Sequence, residues 1–431
     1  MANSTRVTAP QPKISKVFAN ISPNRRTSLF LLGAQILAAG VAFLVNIVIA
    51  WAMDPVARGI LAFVLQITYT LTYVSLLGLE RPFMATQKGT FPQLLVSFVR
   101  MTLPGWSIAL LPIGVGLAGL LLGNPYLGPL GILIGAYLIG NSITQSVRVA
   151  YVGSRSWQHF VANAVASQLV LVVGAVALAV AGVDDVVVWL ALYALTGAVS
   201  SITLFVCLRQ GQGFAPLPVD VSKRLRRQGL KLLPASFGNS ALLRSDRLLL
   251  PILSSPAQLG MYVPVAAIME IAVWPIQQWV DASLRDWGSA GHTRAGQRKL
   301  VLRAVGLVLL TSVALAAVAF VVVAFFLPPS YREALGLIPV LTLGSIVYGW
   351  TRIQEGLLVT RGKTGSVSII ETVGLVVSLA SYVVLMPLWG AMGAAWGALL
   401  GYLACALLGW WISSRGLEQD ATAPVGSDGE A

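Results

Sequence analysis

The chain has little of what soluble enzymes and metal proteins are built from. Its 431 residues include only two cysteines and two histidines. Cys207 and Cys405 fall in apolar runs at non-equivalent places, so neither a disulfide framework nor a thiolate metal site is expected. His159 and His292 lie far apart on basic flanks, which leaves a histidine metal cluster nothing to be built from, and no cofactor is expected. Charge is scarce too. Charged residues make up 10% of the chain and apolar ones 56%, where a soluble globular protein has about 25% charged residues. The composition excludes a soluble domain and leaves a multi-pass membrane protein.

What is present is a series of apolar runs, each near the roughly 20 residues that cross a bilayer as a helix. They lie near 28–52, 59–80, 101–122, 127–152, 157–181, 185–208, 229–253, 259–282, 301–327, 334–360, 365–387 and 391–412, twelve in all. The net charge of +13 raises the question of nucleic acid, but the positive residues follow the membrane. Of the 29 Lys and Arg, 23 fall in the N-terminal tail, in alternate connections or at Arg415, while Arg58 and Arg332 fall in the opposite connections. This asymmetry places both termini in the cytoplasm, and attraction to anionic lipid headgroups accounts for the basic runs. Residues 1–27 are polar and basic without an apolar core, so the first run reads as a retained helix and not a cleaved leader.

Four arginines remain inside helices: Arg148, Arg244, Arg247 and Arg352. The chain also echoes itself. Leu31, Leu32, Pro55 and Gly59 recur 201 positions later as Leu232, Leu233, Pro256 and Gly260, and Gly140 and Arg148 recur 204 later as Gly344 and Arg352. The expected architecture is all-α, with two pseudo-symmetric six-helix lobes at 28–208 and 229–412. They are joined by a cytoplasmic connection at 209–228 and flanked by a tail at 1–27 and a disordered tail at 413–431.

Polar residues at helical spacing mark faces that do not meet lipid. One row is Tyr137, Asn141, Gln145, Arg148 and Tyr151; a second is Ser345, Tyr348, Arg352 and Glu355; a third is Glu270, Trp274, Gln277, Asp281 and Arg285 beside Pro275. Each row also has a purely structural explanation. Arg148 can snorkel to the cytoplasmic interface, Arg352 and Glu355 can neutralise one another, and Arg247 can pair with Asp246. Arg244 has no evident local partner, and Glu270 lies near the middle of its run. Four arginines against the three acids Asp246, Glu270 and Glu355 favour an anionic cargo, and guanidinium suits phosphate because it donates two parallel hydrogen bonds.

With these features the chain resembles the polysaccharide-type flippases of the MOP superfamily, lipid carriers related to the MATE exporters and to the lipid II flippase. The stretch Asp246–Leu250 followed by Gly260 and Tyr262 is similar to that family's Asp-Arg helix and Gly-x-Tyr turn. Gly390–Ala395 resembles its Gly-Ala-x-Gly-Ala-Ala run. In the first half Pro55 and Gly59 fit the opening turn, while Asp54 and Arg58 depart from it. The resemblance implies two bundles around a cavity that opens alternately to either side, and a polyprenyl-diphosphate cargo bearing sugars.

On this reading Arg244 and Arg352, with Arg148 and Arg247, contact the diphosphate, and Asn141, Gln145, Trp274 and Gln277 meet sugar hydroxyls. Asp246, Glu270 and Glu355 are the candidates for coupling to H+, Na+ or the membrane potential. The expected partners are a lipid-linked oligosaccharide, membrane lipids, and polysaccharide polymerases or glycosyltransferases. The protein is expected to act as a monomer in the cytoplasmic membrane of a bacterial cell. Two other readings stand beside this one: an ion-coupled exporter of small molecules on the same fold, and a membrane glycan polymerase or ligase, for which the short outer connections offer few residues.

Overall fold

The computed structural model describes residues 40–210, 218–290, 294–360 and 364–422. Every described element is helical. In chain order the α-helices are α1 (Gly40–Ala52), α2 (Pro55–Ser75), α3 (Glu80–Thr86), α4 (Phe91–Thr102), α5 (Leu110–Leu121), α6 (Leu127–Gly153), α7 (Trp157–Val180), α8 (Val186–Arg209), α9 (Val219–Leu253), α10 (Pro256–Ala290), α11 (Arg294–Val321), α12 (Leu337–Thr360) and α13 (Thr364–Thr422), with 3-10 turns at Leu103–Ala109 and Pro329–Gly336 and a π turn at Val322–Phe326.

Short polar signals set the helix starts. Asp54 caps α2, its Oδ1 accepting from the Ala57 amide at 2.8 Å, and Pro55 occupies the first turn, where a missing N–H costs nothing. Asp185 does the same for α8, accepting from the Val187 amide at 2.7 Å. At Gly390 φ is 54° and ψ is −127°, a backbone open to glycine and strained for other residues. There α13 breaks and Gln258 Oε1 accepts from the Ala391 amide at 2.8 Å, satisfying a donor that the break exposes.

Nine described stretches are long and apolar enough to cross a membrane. One of them, Gly365–Ser413, has 49 residues. At about 1.5 Å per residue it would be roughly 74 Å long if straight, far more than the ~30 Å of hydrocarbon, and the Gly390 break leaves two arms, each long enough for a crossing of its own. α1 is short within the described residues, and the apolar sequence of α9, though not the helix, is interrupted by Arg244, Asp246 and Arg247.

Three details differ from expectation. The connection expected at 209–228 is helical from Val219 onward, and α13 continues to Thr422 into the expected tail at 413–431. The outer connection expected at 54–58 shrinks to Asp54, because the Asp-Pro pair starts α2 at once; Arg58 is thus drawn into the helix and is 2% exposed. The tail 1–27, Leu31, Leu32 and His292 lie outside the described residues, as do the side chains of Asp281 and Arg285.

The helices fall into two packed groups. α4, α5, α6, α7 and α8 pack mainly on one another, and so do α10, α11, α12 and α13, with α9 on α13. The seam is α2 against α9 and α10. Here the sequence repeat becomes a spatial contact. A methyl group on Gly59 would overlap the carbonyl of Pro256, and one on Gly260 would overlap the carbonyl of Pro55. Residue i of one helix meets residue j of the other and the reverse also holds, which is the signature of a two-fold-related contact. It places both proline ends together at one end of the seam.

Candidate substrate-binding cavity

Between α2 and α3 on one side and the second group on the other lies a cavity of about 540 Å³, within the roughly 300–1,000 Å³ of small-molecule sites. α2 and the turn after it supply Tyr73, Leu76 and Gly78, and α3 supplies Glu80 and Arg81. α9 supplies Arg244, Asp246 and Arg247; α10 supplies Glu270, Trp274 and Gln277; α12 and α13 add Tyr348, Arg352 and Glu371.

The arginines do not point into it unpaired. Glu270 is bridged by two of them: Arg247 Nη2 lies 2.8 Å from its Oε2 and Arg244 Nε 3.3 Å from its Oε1. Arg244 therefore has the partner that its own helix lacks, supplied by α10. Asp246 takes a different role: its Oδ1 accepts from the Arg247 amide at 2.8 Å and its Oδ2 from the Tyr262 hydroxyl at 2.6 Å.

Arg352 is held by two carboxylates, Glu355 Oε2 at 2.7 Å and Glu371 Oε1 at 3.1 Å, both on Nη1. It also donates to the Tyr348 hydroxyl, over whose ring its guanidinium lies at 4.8 Å. The other oxygen of Glu355, Oε1, is buried with no hydrogen-bond partner.

The first-half row takes another position. Arg148 is 49% exposed at its side chain and pairs with Glu80 at 3.3 Å. Asn141 donates to Thr72 Oγ1 at 3.0 Å, and Gln145 Oε1 is buried without a partner. None of the three lines the cavity; Asn141 belongs to a polar contact between α2 and α6 that also holds the Ser75–Ser142 pair at 2.7 Å, and Arg148 reaches α3. Although the repeat aligns Arg148 with Arg352, the two side chains meet unlike surroundings. The cavity is built chiefly by the second half.

Sequence reasoning missed Glu80 and Arg81, at the edge of an apolar run, and Glu371, which lies inside the 365–387 run and was not counted among the intrahelical acids. Leu77 and Gly78, at φ 54° and 64°, turn the chain so that α3 comes back against the cavity. With them counted, acids and arginines around the cavity balance. A second, smaller groove of about 130 Å³ adjoins it, lined by Phe43, Asn46 and Ile47 of α1 and Pro264, Ile268 and Ile271 of α10, and sharing Glu270 and Trp274 with the cavity.

No family model and no curated protein matches the chain. Solved structures do. An inward-facing multidrug resistance MATE family transporter of the MOP superfamily superposes with a TM-score of 0.62 at 13% identity, over 88% of this chain and 95% of that one. The fold is that of the MATE transporters and MurJ. The lipid II flippase MurJ, in an inward closed conformation, also superposes at 0.62, with 10% identity over 90% and 87% of the two chains. A MOP superfamily transporter from Pyrococcus furiosus, described as having a binding pocket of reverse polarity, superposes at 0.53 with 12% identity over 92% and 96%. At these identities the MOP-type likeness concerns architecture, and the cargo has to be argued from the cavity.

Proposed function

We propose that the chain is a flippase that carries a polyprenyl-diphosphate-linked oligosaccharide across the cytoplasmic membrane of a bacterial cell by alternating access. One observation carries the reading: a polar cavity lined by Arg244, Arg247 and Arg352 adjoins an apolar groove, the two sharing Glu270 and Trp274 in their walls. Such a junction fits a cargo with an anionic head and a hydrocarbon tail. Because each of these arginines already meets a carboxylate, the diphosphate binds by exchange. Its oxygens replace Glu270 on Arg244 and Arg247, and Glu355 or Glu371 on Arg352, and they carry more charge than the carboxylates they displace. Trp274 and Gln277 stand where the first sugar would lie; Asn141, Gln145 and Arg148 face it only in a state where α2 and α6 have shifted.

The proposed topology has twelve crossings, with α1, α9 and the second arm of α13 added to the nine apolar stretches and both termini in the cytoplasm. Cysteines placed at Gly123 and Pro329 then react with an impermeant thiol reagent from outside, and ones at Gln87 and Gln212 do not. Reversed labelling would invert the direction of transport.

The exporter reading keeps one supporting observation. Glu355 and Glu371 share a single arginine nitrogen, and the free oxygen of Glu355 is buried without a partner, a place where H+ or Na+ can enter the cycle. Depleting the protein decides between cargoes. Accumulation of a diphosphate-linked glycolipid on the cytoplasmic leaflet supports the flippase; a normal distribution of that lipid, with sensitivity to cationic compounds, supports the exporter.

A further inference from the structure

Position 58 carries a charge that its surroundings do not neutralise. Arg58 is 2% exposed, and among the described residues no carboxylate lies within ion-pair distance of it. Its Nη2 donates to Asn46 Oδ1 at a long 3.3 Å, its guanidinium carbon lies 5.3 Å from the centre of the Tyr331 ring, and its Nη1 is buried with no acceptor. Asp54, one turn earlier, is occupied by the α2 cap. A neutral amide and an aromatic face return only part of the hydration that a guanidinium loses on burial.

The internal repeat supplies a comparison within the same molecule. The position 201 residues after Arg58 is Leu259, which is fully buried. Both residues sit beside the reciprocal Gly59–Gly260 crossing, so the packing there is served by leucine. The surroundings of Arg58 also cross the seam. Tyr331, in the turn Pro329–Gly336, donates to the Met53 carbonyl at 3.2 Å, and Trp51 Nε1 donates to the Phe326 carbonyl at 2.5 Å.

We propose that Arg58 is the opening charge of the gate at the Pro55/Pro256 end: poorly solvated while the two halves are joined there, it is hydrated when they part, and so it biases the seam toward opening. The proposal rests on the alternating-access reading, but its test needs no cargo, so a wrong cargo assignment would leave the result standing.

The test uses the full chain with Cys207→Ser and Cys405→Ser and spin labels at Asn124→Cys and Ser330→Cys, both exposed and on opposite halves at that end. Pulsed electron paramagnetic resonance reads the distance distribution, and a thermal melt is recorded on the same samples. Arg58→Leu is expected to lower the ratio of long to short distances by about tenfold or more and to raise the melting temperature, since an unpaired buried charge has been removed. Arg58→Lys, which keeps the charge, is expected to retain the parent distribution. If the parent shows only the short distance, the melt decides. A lower melting temperature, failure to fold, or a shift of Arg58→Leu toward long distances would make Arg58 a brace of the closed gate and overturn the proposal.

Discussion

Replacing Glu270 by Gln should move stability and anion affinity in opposite directions. Glu270 is the common partner of Arg247, at 2.8 Å, and Arg244, at 3.3 Å, with side-chain exposures of 20%, 12% and 32% respectively. Breaking a fully buried pair typically costs about 3–5 kcal/mol because the surviving charge is left uncompensated. Here the partial exposure lets water screen the arginines, and the glutamine oxygen still accepts one hydrogen bond, so a loss of about 2 kcal/mol is expected. In a chain of 431 residues that corresponds to a melting temperature lower by about 2 °C. The same substitution frees two guanidinium groups from the competitor that an incoming phosphate must displace. Affinity for a polyprenyl diphosphate should therefore rise, by about tenfold for each 1.4 kcal/mol of competition removed. Thermal melts with and without the lipid measure both effects on one sample. Weaker lipid binding by Glu270→Gln would show that the carboxylate supports the cargo and does not compete with it, and the exchange argument would fail. An exporter that couples through Glu270 instead loses transport outright.

Three further outcomes follow from the same geometry. Gly260→Ala places a methyl group against the Pro55 carbonyl, so it should pry α2 from α10 and lower the melting temperature, while Gly306→Ala, which has open space, should change little; equal melts would remove the close crossing. Arg148→Ala should leave glycan export near normal, since its partner Glu80 and its own 49% exposure place it at the edge of the site, whereas Arg352→Ala should abolish export at unchanged protein level. Arg352→Lys should recover only part of the loss, because an ammonium keeps the charge but not the two-pronged geometry; full recovery would reduce the role of Arg352 to charge alone.

Much of the architecture could be read from the chain because membrane helices declare themselves locally. Runs of about 20 apolar residues and the break between the 365–387 and 391–412 runs each act within a few positions, and the Pro55/Gly59 and Pro256/Gly260 echo proved to mark a physical contact. The site was less legible. Helical spacing shows which side chains share a face, but not what that face meets, so Arg148 and Arg352 align in sequence and still diverge in surroundings. Glu270 and Arg244 are joined across two helices, a pairing with no local signal. Glu80 and Arg81 looked like ordinary flanking charges, because the Leu77–Gly78 turn that brings α3 to the cavity involves a backbone conformation and not a charge pattern. Arg58 was placed in a loop for a related reason: a charge at the edge of an apolar run reads as its boundary, although here the helix had begun three residues earlier.

The account stands or falls on whether the cavity arginines select an anionic lipid head. Binding of a polyprenyl diphosphate, a polyprenyl monophosphate and a quaternary-ammonium amphiphile of equal chain length to the purified protein and to its Arg352→Ala variant measures this most directly. The account predicts the order diphosphate, monophosphate, ammonium for the parent protein, and a loss of about tenfold or more in diphosphate affinity for the variant, since a charge-assisted hydrogen bond contributes about 1.5–3 kcal/mol. Equal diphosphate binding by both proteins, or a preference for the ammonium amphiphile, would contradict it.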